Sequence, residues 1–148
     1  MEARMPNPIL VVPGAMDIVK AMQKVLHDAD TSVDLEWVAL RASQINGCAV
    51  CLEMHTAALR KAGEPEEKIA AVPAFRESRW FSEAERAALA LTEAATRLAD
   101  KGEAVPDAVW EEAADHFSEQ ELGLIVLEIG AINFFNRINA TTRQPAGG

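Results

Sequence analysis

Residues 119–141 leave this chain few architectures. Leu122, Leu124, Ile125, Val126, Leu127, Ile129, Ile132, Phe134 and Phe135 put apolar side chains on more than one face of the segment. It is far longer than a strand, and Ser118-Glu119-Gln120-Glu121 ahead of it has the form of a capping box, so it reads as one long helix. Glu121, Glu128, Asn133 and Arg137 rule out a membrane span. A helix this apolar is either central in the fold or shared with a second subunit, and both roles are expected here.

The remaining chain keeps the same period. Met16, Val19, Met22 and Leu26 mark the core face of a first helix ending near His27. Asp30-Thr31-Ser32 is a turn with N-cap chemistry, placed to launch a helix over residues 33–45. Gly63 supplies a stop and Pro65 a start; the short helix that follows carries Ile69 and Val72 and is cut by Pro73. Residues 74–81 read as a turn of helix and a loop bearing Trp80. Ser82-Glu83-Ala84-Glu85 is a second capping box, opening a helix to about Asp100 with Leu89, Leu91, Ala95 and Leu98 available for packing. Pro106 and Asp107 start another, with Val109, Trp110 and Phe117. The chain has no Tyr, and its Val and Ile are dispersed through helical spacings. The expected fold is therefore all-α, with about six to eight helices. Pro6 and Pro8 make residues 1–12 an extended arm, residues 13–143 a single domain, and residues 144–148 a loose tail.

The formal charge of −9 argues against nucleic acid and an anionic membrane surface as partners. Ile9 to Val12 are too few apolar residues for a signal segment, so a cytoplasmic protein is expected. In that reducing compartment two cysteines at close spacing point to catalysis or metal binding rather than to a structural staple.

Both cysteines of the chain lie in one stretch. Asn46-Gly47 interrupts the helix of residues 33–45, and a second begins at about Cys48. On it Cys48, Cys51 and His55 fall at i, i+3 and i+7 and share a face. A thiol at a helix start feels the positive end of the helix dipole. The effect is large: a pKa of about 8.5 leaves ~3% thiolate at pH 7, whereas about 6.5 gives ~75%. His55, one turn after Cys51, is placed to take its proton, and Cys48, one turn before, to close a disulfide on whatever Cys51 has reacted with. Two buried small hydrophobes are the bland alternative. Zinc is the sharper one, with Cys48, Cys51, His55 and Glu36 as ligands, although three of these come from two turns of one helix. By spacing alone Glu36 is an exposed glutamate, and His27 and His116 belong to the surface.

The segment Leu40-Arg41-Ala42-Ser43-Gln44-Ile45-Asn46-Gly47-Cys48-x-x-Cys51-x-x-x-His55 closely resembles the core motif of AhpD-like alkylhydroperoxidases, in the carboxymuconolactone decarboxylase superfamily. The resemblance continues through Arg60-Lys61-Ala62-Gly63-Glu64, Phe75-Arg76-Glu77-Ser78, Phe81 to Ala90 and Ile132-Asn133-x-x-Asn136-Arg137, most of the chain from about residue 32 onward. It implies an all-helical AhpD-like domain assembled through its helices as a trimer or hexamer. It also implies a proton relay of a glutamate twelve residues before the first cysteine, the two cysteines and the following histidine. Those positions are Glu36, Cys48, Cys51 and His55 here. The best-studied peroxidase branch has a histidine immediately before the second cysteine, where this chain has Val50. Decarboxylases of the superfamily generally lack the cysteine pair.

The resulting expectation is a thiol-dependent peroxidase or disulfide reductase. Cys51 attacks a hydroperoxide or disulfide, Cys48 resolves, His55 acts as base and Glu36 orients it, behind an apolar wall of Trp37, Leu40 and Leu52. No cofactor or metal is called for. The resemblance implies a lipoyl or thioredoxin-like dithiol reductant. The competing expectation is a non-catalytic helical oligomer or a zinc module built on Cys48, Cys51 and His55.

Overall fold

The computed structural model describes residues 2–147, so Met1 and Gly148, the outermost residues of the expected arm and tail, lie outside it. Among the described residues eight α-helices follow one another: α1 (Pro8–Val11), α2 (Ala15–His27), α3 (Leu35–Asn46), α4 (Ala49–Lys61), α5 (Glu66–Ala71), α6 (Glu83–Thr96), α7 (Asp107–His116) and α8 (Glu119–Thr142). Short 3-10 turns stand at Val72–Ala74 and Leu98–Asp100. Among the described residues there is no strand, and no helix is long and apolar enough to cross a membrane.

The most enveloped element is α3. Every residue from Trp37 to Ser43 is buried, because α4, α6 and α8 all pack on it. Three apolar clusters surround it. Val38, Leu91, Ala113, Phe117, Ile125 and Ile129 join α3, α6, α7 and α8. Trp37, Leu40, Leu59, Val72, Phe75 and Leu89 fill the opposite side, where Trp37 meets Phe81 edge to face at 5.6 Å. Ala39, Ala42, Cys48, Cys51 and Ile132 form a seam of small residues between α3, α4 and α8. Gly47 makes the corner between α3 and α4: at φ 66° it ends α3 in a left-handed turn that a side chain would strain.

Both capping boxes form, at Ser82/Glu85 and Ser118/Glu121. Glu121 does more than cap: its carboxylate also accepts the Ser32 N–H at 2.9 Å and hydroxyl at 2.6 Å, tying the α2–α3 loop to the start of α8. Those bonds from Ser32 and Ser118 hold its carboxyl down at about 2.

Several local expectations need correction. The N-cap of α3 is Asp34, whose side chain accepts the Glu36 N–H at 2.9 Å, while Ser32 is spent on Glu121. The arm of residues 1–12 is not wholly extended: Asn7 caps and Pro8 opens the helical turn α1, a favourable pairing that the expectation overlooked. The helix after Ser82 stops at Thr96, so Leu98 falls in the 3-10 turn and is left exposed. The tail is tethered at two points, with Gln144 Nε2 donating to Met5 O and the Gly147 N–H to Glu53.

One ion pair, Arg41 with Glu93, is held in the core. Glu93 of α6 accepts from Arg41 Nε and Nη2 of α3 at 2.9 and 2.5 Å, and from Arg76 at 2.7 Å. Burial opposes ionisation of Glu93, but the hydrogen bonds from Arg41 and Arg76 outweigh it and hold its carboxyl below the ordinary range. Removing one partner leaves a buried charge unpaired. Glu93→Gln should therefore cost about 3–5 kcal/mol in urea unfolding, and a cost below about 1 kcal/mol would show that the pair does not anchor α3 to α6.

Candidate functional site

The α3–Gly47–α4 corner decides where the sulfurs sit. Cys48 is the N-cap of α4, and its Sγ accepts the Cys51 N–H at 3.4 Å. Cys51 follows in the first turn, with the two Cα atoms 5.3 Å apart, and the pair is joined as a disulfide. Both residues are almost fully buried. They differ in what they face, since Cys51 lines a cavity and Cys48 lies behind it in the small-residue seam.

That cavity, about 1250 Å³, opens because α2 touches the body of the fold only lightly. The α1–α2 arm supplies one wall, through residues such as Leu10, Met16, Val19 and Leu26. The first turn of α3, the outer face of α4 and one stripe of α8 supply the other. His55 of α4 and Glu36 of α3 both reach it, with His55 Nδ1 2.7 Å from Glu36 Oε2. An ionised carboxylate only accepts, so in the neutral ring Nδ1 carries the proton and Nε2 is left as the base. The sequence spacing left Glu36 on the surface; the fold brings it to His55, because the α3–α4 corner lays α4 alongside α3. Glu36, Cys51 and His55 thus share one cavity, with Cys48 bonded to Cys51.

The expected wall is different. Trp37, Leu40 and Leu52 belong to the cluster around Leu59 and Phe75, because α3 is enveloped from Trp37 onward and only its first turn reaches the cavity. The apolar lining near the sulfur comes instead from Val50, Ile132 and Phe135.

Two polar groups that line the cavity were not read as site residues from the sequence. Glu128 and Asn139 flank Ile132 and Phe135 on one stripe of α8, all four lining the cavity. Burial pushes the Glu128 carboxyl up to about 7; the charge of Glu36 adds to that push and His55 works against it. Asn139 Nδ2 donates to Cys51 Sγ at 3.5 Å. The available signal was an acid and an amide spaced on one face of a largely apolar helix; Glu128 was read only as evidence against a membrane span, and Asn139 was not singled out.

His27, at the end of α2, lines the α2 wall of the same cavity and pairs with Asp28, while His116 of α7 pairs with Glu112. Among the described residues, the grouping with three metal-ligating atoms close together is Glu83, Glu112 and His116 on the α6–α7 surface. In the disulfide neither cysteine offers the thiolate that zinc would require.

The family model for the carboxymuconolactone decarboxylase family matches residues 14–94, a span that contains Glu36, Cys48, Cys51 and His55. The chain is 36% identical over 130 residues to the uncharacterized protein YdfG of Bacillus subtilis, covering 87% of each. It is 32% identical over 111 residues to the uncharacterized protein YnjA of Escherichia coli, covering 75% of this chain and 59% of that one. A solved structure from Agrobacterium tumefaciens, of a protein of unknown function proposed as an AhpD antioxidant defence protein, superposes at a TM-score of 0.89 with 34% identity over 99% of both chains. The apo debrominase Bmp8, at 24% identity and a TM-score of 0.80 over 92% of this chain and 73% of that one, shares the fold.

Glu128 gives the cavity a pH signature. Its folded pKa of about 7 lies above the ordinary 4.5, so the folded state holds the proton more tightly than the unfolded state. The sign follows: stability is greatest below pH 4.5, falls as pH rises towards 7, and levels off above. Glu128→Gln should remove this loss, so that the variant gains on the parent by on the order of 1–3 kcal/mol between pH 5 and 8 in denaturant titrations. A stability difference that does not change with pH would place Glu128 in an ordinary solvated setting.

Proposed function

The chain belongs to the carboxymuconolactone decarboxylase family, and from that membership and the geometry of its cysteine site we propose a thiol-dependent peroxidase or disulfide reductase. The observation that carries the reading is the arrangement around Cys51: its sulfur lines a cavity together with a hydrogen-bonded His55–Glu36 pair, and Cys48 is within disulfide reach behind it. Access decides which thiol attacks. Cys48 has the N-cap position, but it does not face the cavity; Cys51 does.

With the pair reduced, His55 Nε2 takes the Cys51 proton and Glu36 steadies the imidazolium that results. For a hydroperoxide, the thiolate attacks the terminal oxygen, an S–O bond forms, the O–O bond breaks, and the alkoxide leaves as the alcohol with the proton from His55. The Cys48 thiol then attacks the sulfenic sulfur, releasing water and forming the disulfide. A disulfide substrate follows the same course through a mixed disulfide, with a thiol leaving. A dithiol reductant, of the lipoyl or thioredoxin-like kind, returns the pair to the thiols. Glu128, divided between acid and anion near neutral pH, supplies a second proton store in the same cavity. The cavity is larger than the roughly 300–1,000 Å³ typical of small-molecule sites, which suits an organic substrate with an apolar body.

Turnover of cumene hydroperoxide with dihydrolipoamide tests reaction and reductant together. Cys51→Ser should abolish it. Cys48→Ser should allow one stoichiometric reaction and no turnover. His55→Ala should slow the first step by ~10²-fold or more, and Glu36→Gln should do less in the same direction. If Cys48 alone reacts, and its reactivity ignores His55→Ala, the roles of the two cysteines are reversed.

Self-association goes with this reading. Leu10, Ile18, Val25, Leu127 and Phe134 are exposed on α1, α2 and α8, more apolar surface than a small monomer usually leaves in water. Sedimentation at micromolar concentration should give a trimer or hexamer; a single 16.0 kDa species would defeat the proposal.

A further inference from the structure

Asn139 lies in the penultimate turn of α8, where asparagine is a poor helix former, yet its side chain is partly buried and committed at both ends. Nδ2 donates to Cys51 Sγ at 3.5 Å, and Oδ1 accepts from Asn7 Nδ2 at 3.3 Å. Asn7 is committed in turn: its Oδ1 accepts the Ile9 N–H at 3.0 Å as the cap of α1. The direction of this chain is fixed by its ends. A disulfide sulfur carries no hydrogen and can only accept, so Asn139 must turn its NH2 towards Cys51. A backbone N–H can only donate, so Asn7 must turn its oxygen to Ile9 and its NH2 to Asn139. Three hydrogen bonds therefore run head to tail from the N-terminal arm to the sulfur, each polarising the next.

Resting on the role given to Cys51 above, we propose that Asn139 is a catalytic residue of the thiol site, its amide N–H stabilising negative charge on the Cys51 sulfur, and that Asn7 is the positioning residue that keeps this amide turned towards it. The charge appears twice in the cycle. It is present on the thiolate before attack, and it reappears when the reductant, having opened the disulfide at the accessible Cys51 and released Cys48, closes its own disulfide and expels Cys51 from the mixed disulfide. A donor already aligned in the oxidised state costs no reorganisation at either moment. His55 removes the proton; Asn139 favours the anion that remains. The two acts are separable, because one depends on a base and the other only on a dipole. The N-terminal arm is thereby part of the site, although asparagine is not a residue type that usually announces catalysis.

The experiment measures the acidity of each cysteine alone, by iodoacetamide alkylation across pH in the reduced protein. In a Cys48→Ser background, Asn139→Leu should raise the Cys51 pKa by about one unit, slowing alkylation at pH 7 by roughly tenfold. Asn7→Ser keeps a capping oxygen but is too short to donate to Asn139, and should give a smaller rise. In a Cys51→Ser background, Asn139→Leu should leave the Cys48 pKa unchanged, since Asn139 bonds only the other sulfur. Should Asn139→Leu fail to fold, Asn7→Ser, which changes only the partly buried arm, still decides the matter. No rise at Cys51 in the folded variants, or an equal rise at Cys48, overturns the assignment. A Cys51 whose acidity depends on Asn139 in a protein that turns over neither peroxide nor disulfide overturns the proposed function and leaves this assignment standing.

Discussion

The site exists because α8 is held against α3 in one register, and a small polar ladder sets that register. Asn46 Nδ2 donates to the side-chain oxygens of both Asn133 and Asn136 at 2.9 Å, Asn136 Nδ2 donates to Ser43 Oγ at 3.0 Å, and that hydroxyl donates to Ala39 O at 2.7 Å. Apolar packing alone tolerates sliding of one helix along another, whereas a buried amide left without its partner costs about 1–3 kcal/mol. Ala39 and Ala42 complete the arrangement by letting the helices close around the cysteines. A shift by one turn would carry Glu128, Ile132 and Asn139 past the groups they serve.

The two sulfurs are made unequal by their surroundings. Cys48 occupies a helix N-cap and accepts a backbone N–H, the setting that most readily lowers a thiol pKa, but it is buried in the α3–α8 seam. Cys51 gives up that position for access, and receives Asn139 and a cavity shared with His55 instead. Under the roles proposed above, the N-cap position falls to the resolving thiol and the reachable one to the attacking thiol. Thiol acidity alone, read from helix position, would have ranked them the other way.

Much of this was legible in the chain itself. The α3–Gly47–α4 corner, both capping boxes and the length of α8 follow from local rules, since a cap, a left-handed glycine and an apolar period act over a few residues. Glu36 was legible only through its resemblance to a known motif, because the contact with His55 spans 19 positions and no periodicity reports it. Glu128 and Asn139 were not legible at all. They stand among other polar residues of α8, such as Asn133, Asn136 and Arg137, and only the stacking of α8 on α4 shows what they face. Trp37 and Leu40 failed for the complementary reason: proximity in sequence to Glu36 suggested a shared wall, and the envelopment of α3 put them on its other side.

The arm was expected to be extended and the tail loose; the two are fastened together, as the Arg4 N–H donates to Thr142 O at 2.8 Å, Arg4 Nη1 to Thr141 O at 3.0 Å and Gln144 to Met5 O at 3.0 Å. The chain is therefore close to a topological ring, its beginning fastened beside its end. A short peptide linker would close the ring with little loss of entropy, and the exposed stretch from Lys101 to Ala104 between α6 and α7 offers a place to open it again. New ends there would lie outside the residues that line the cavity, while the old junction, with Asn7 and Asn139 on either side of it, would become continuous backbone.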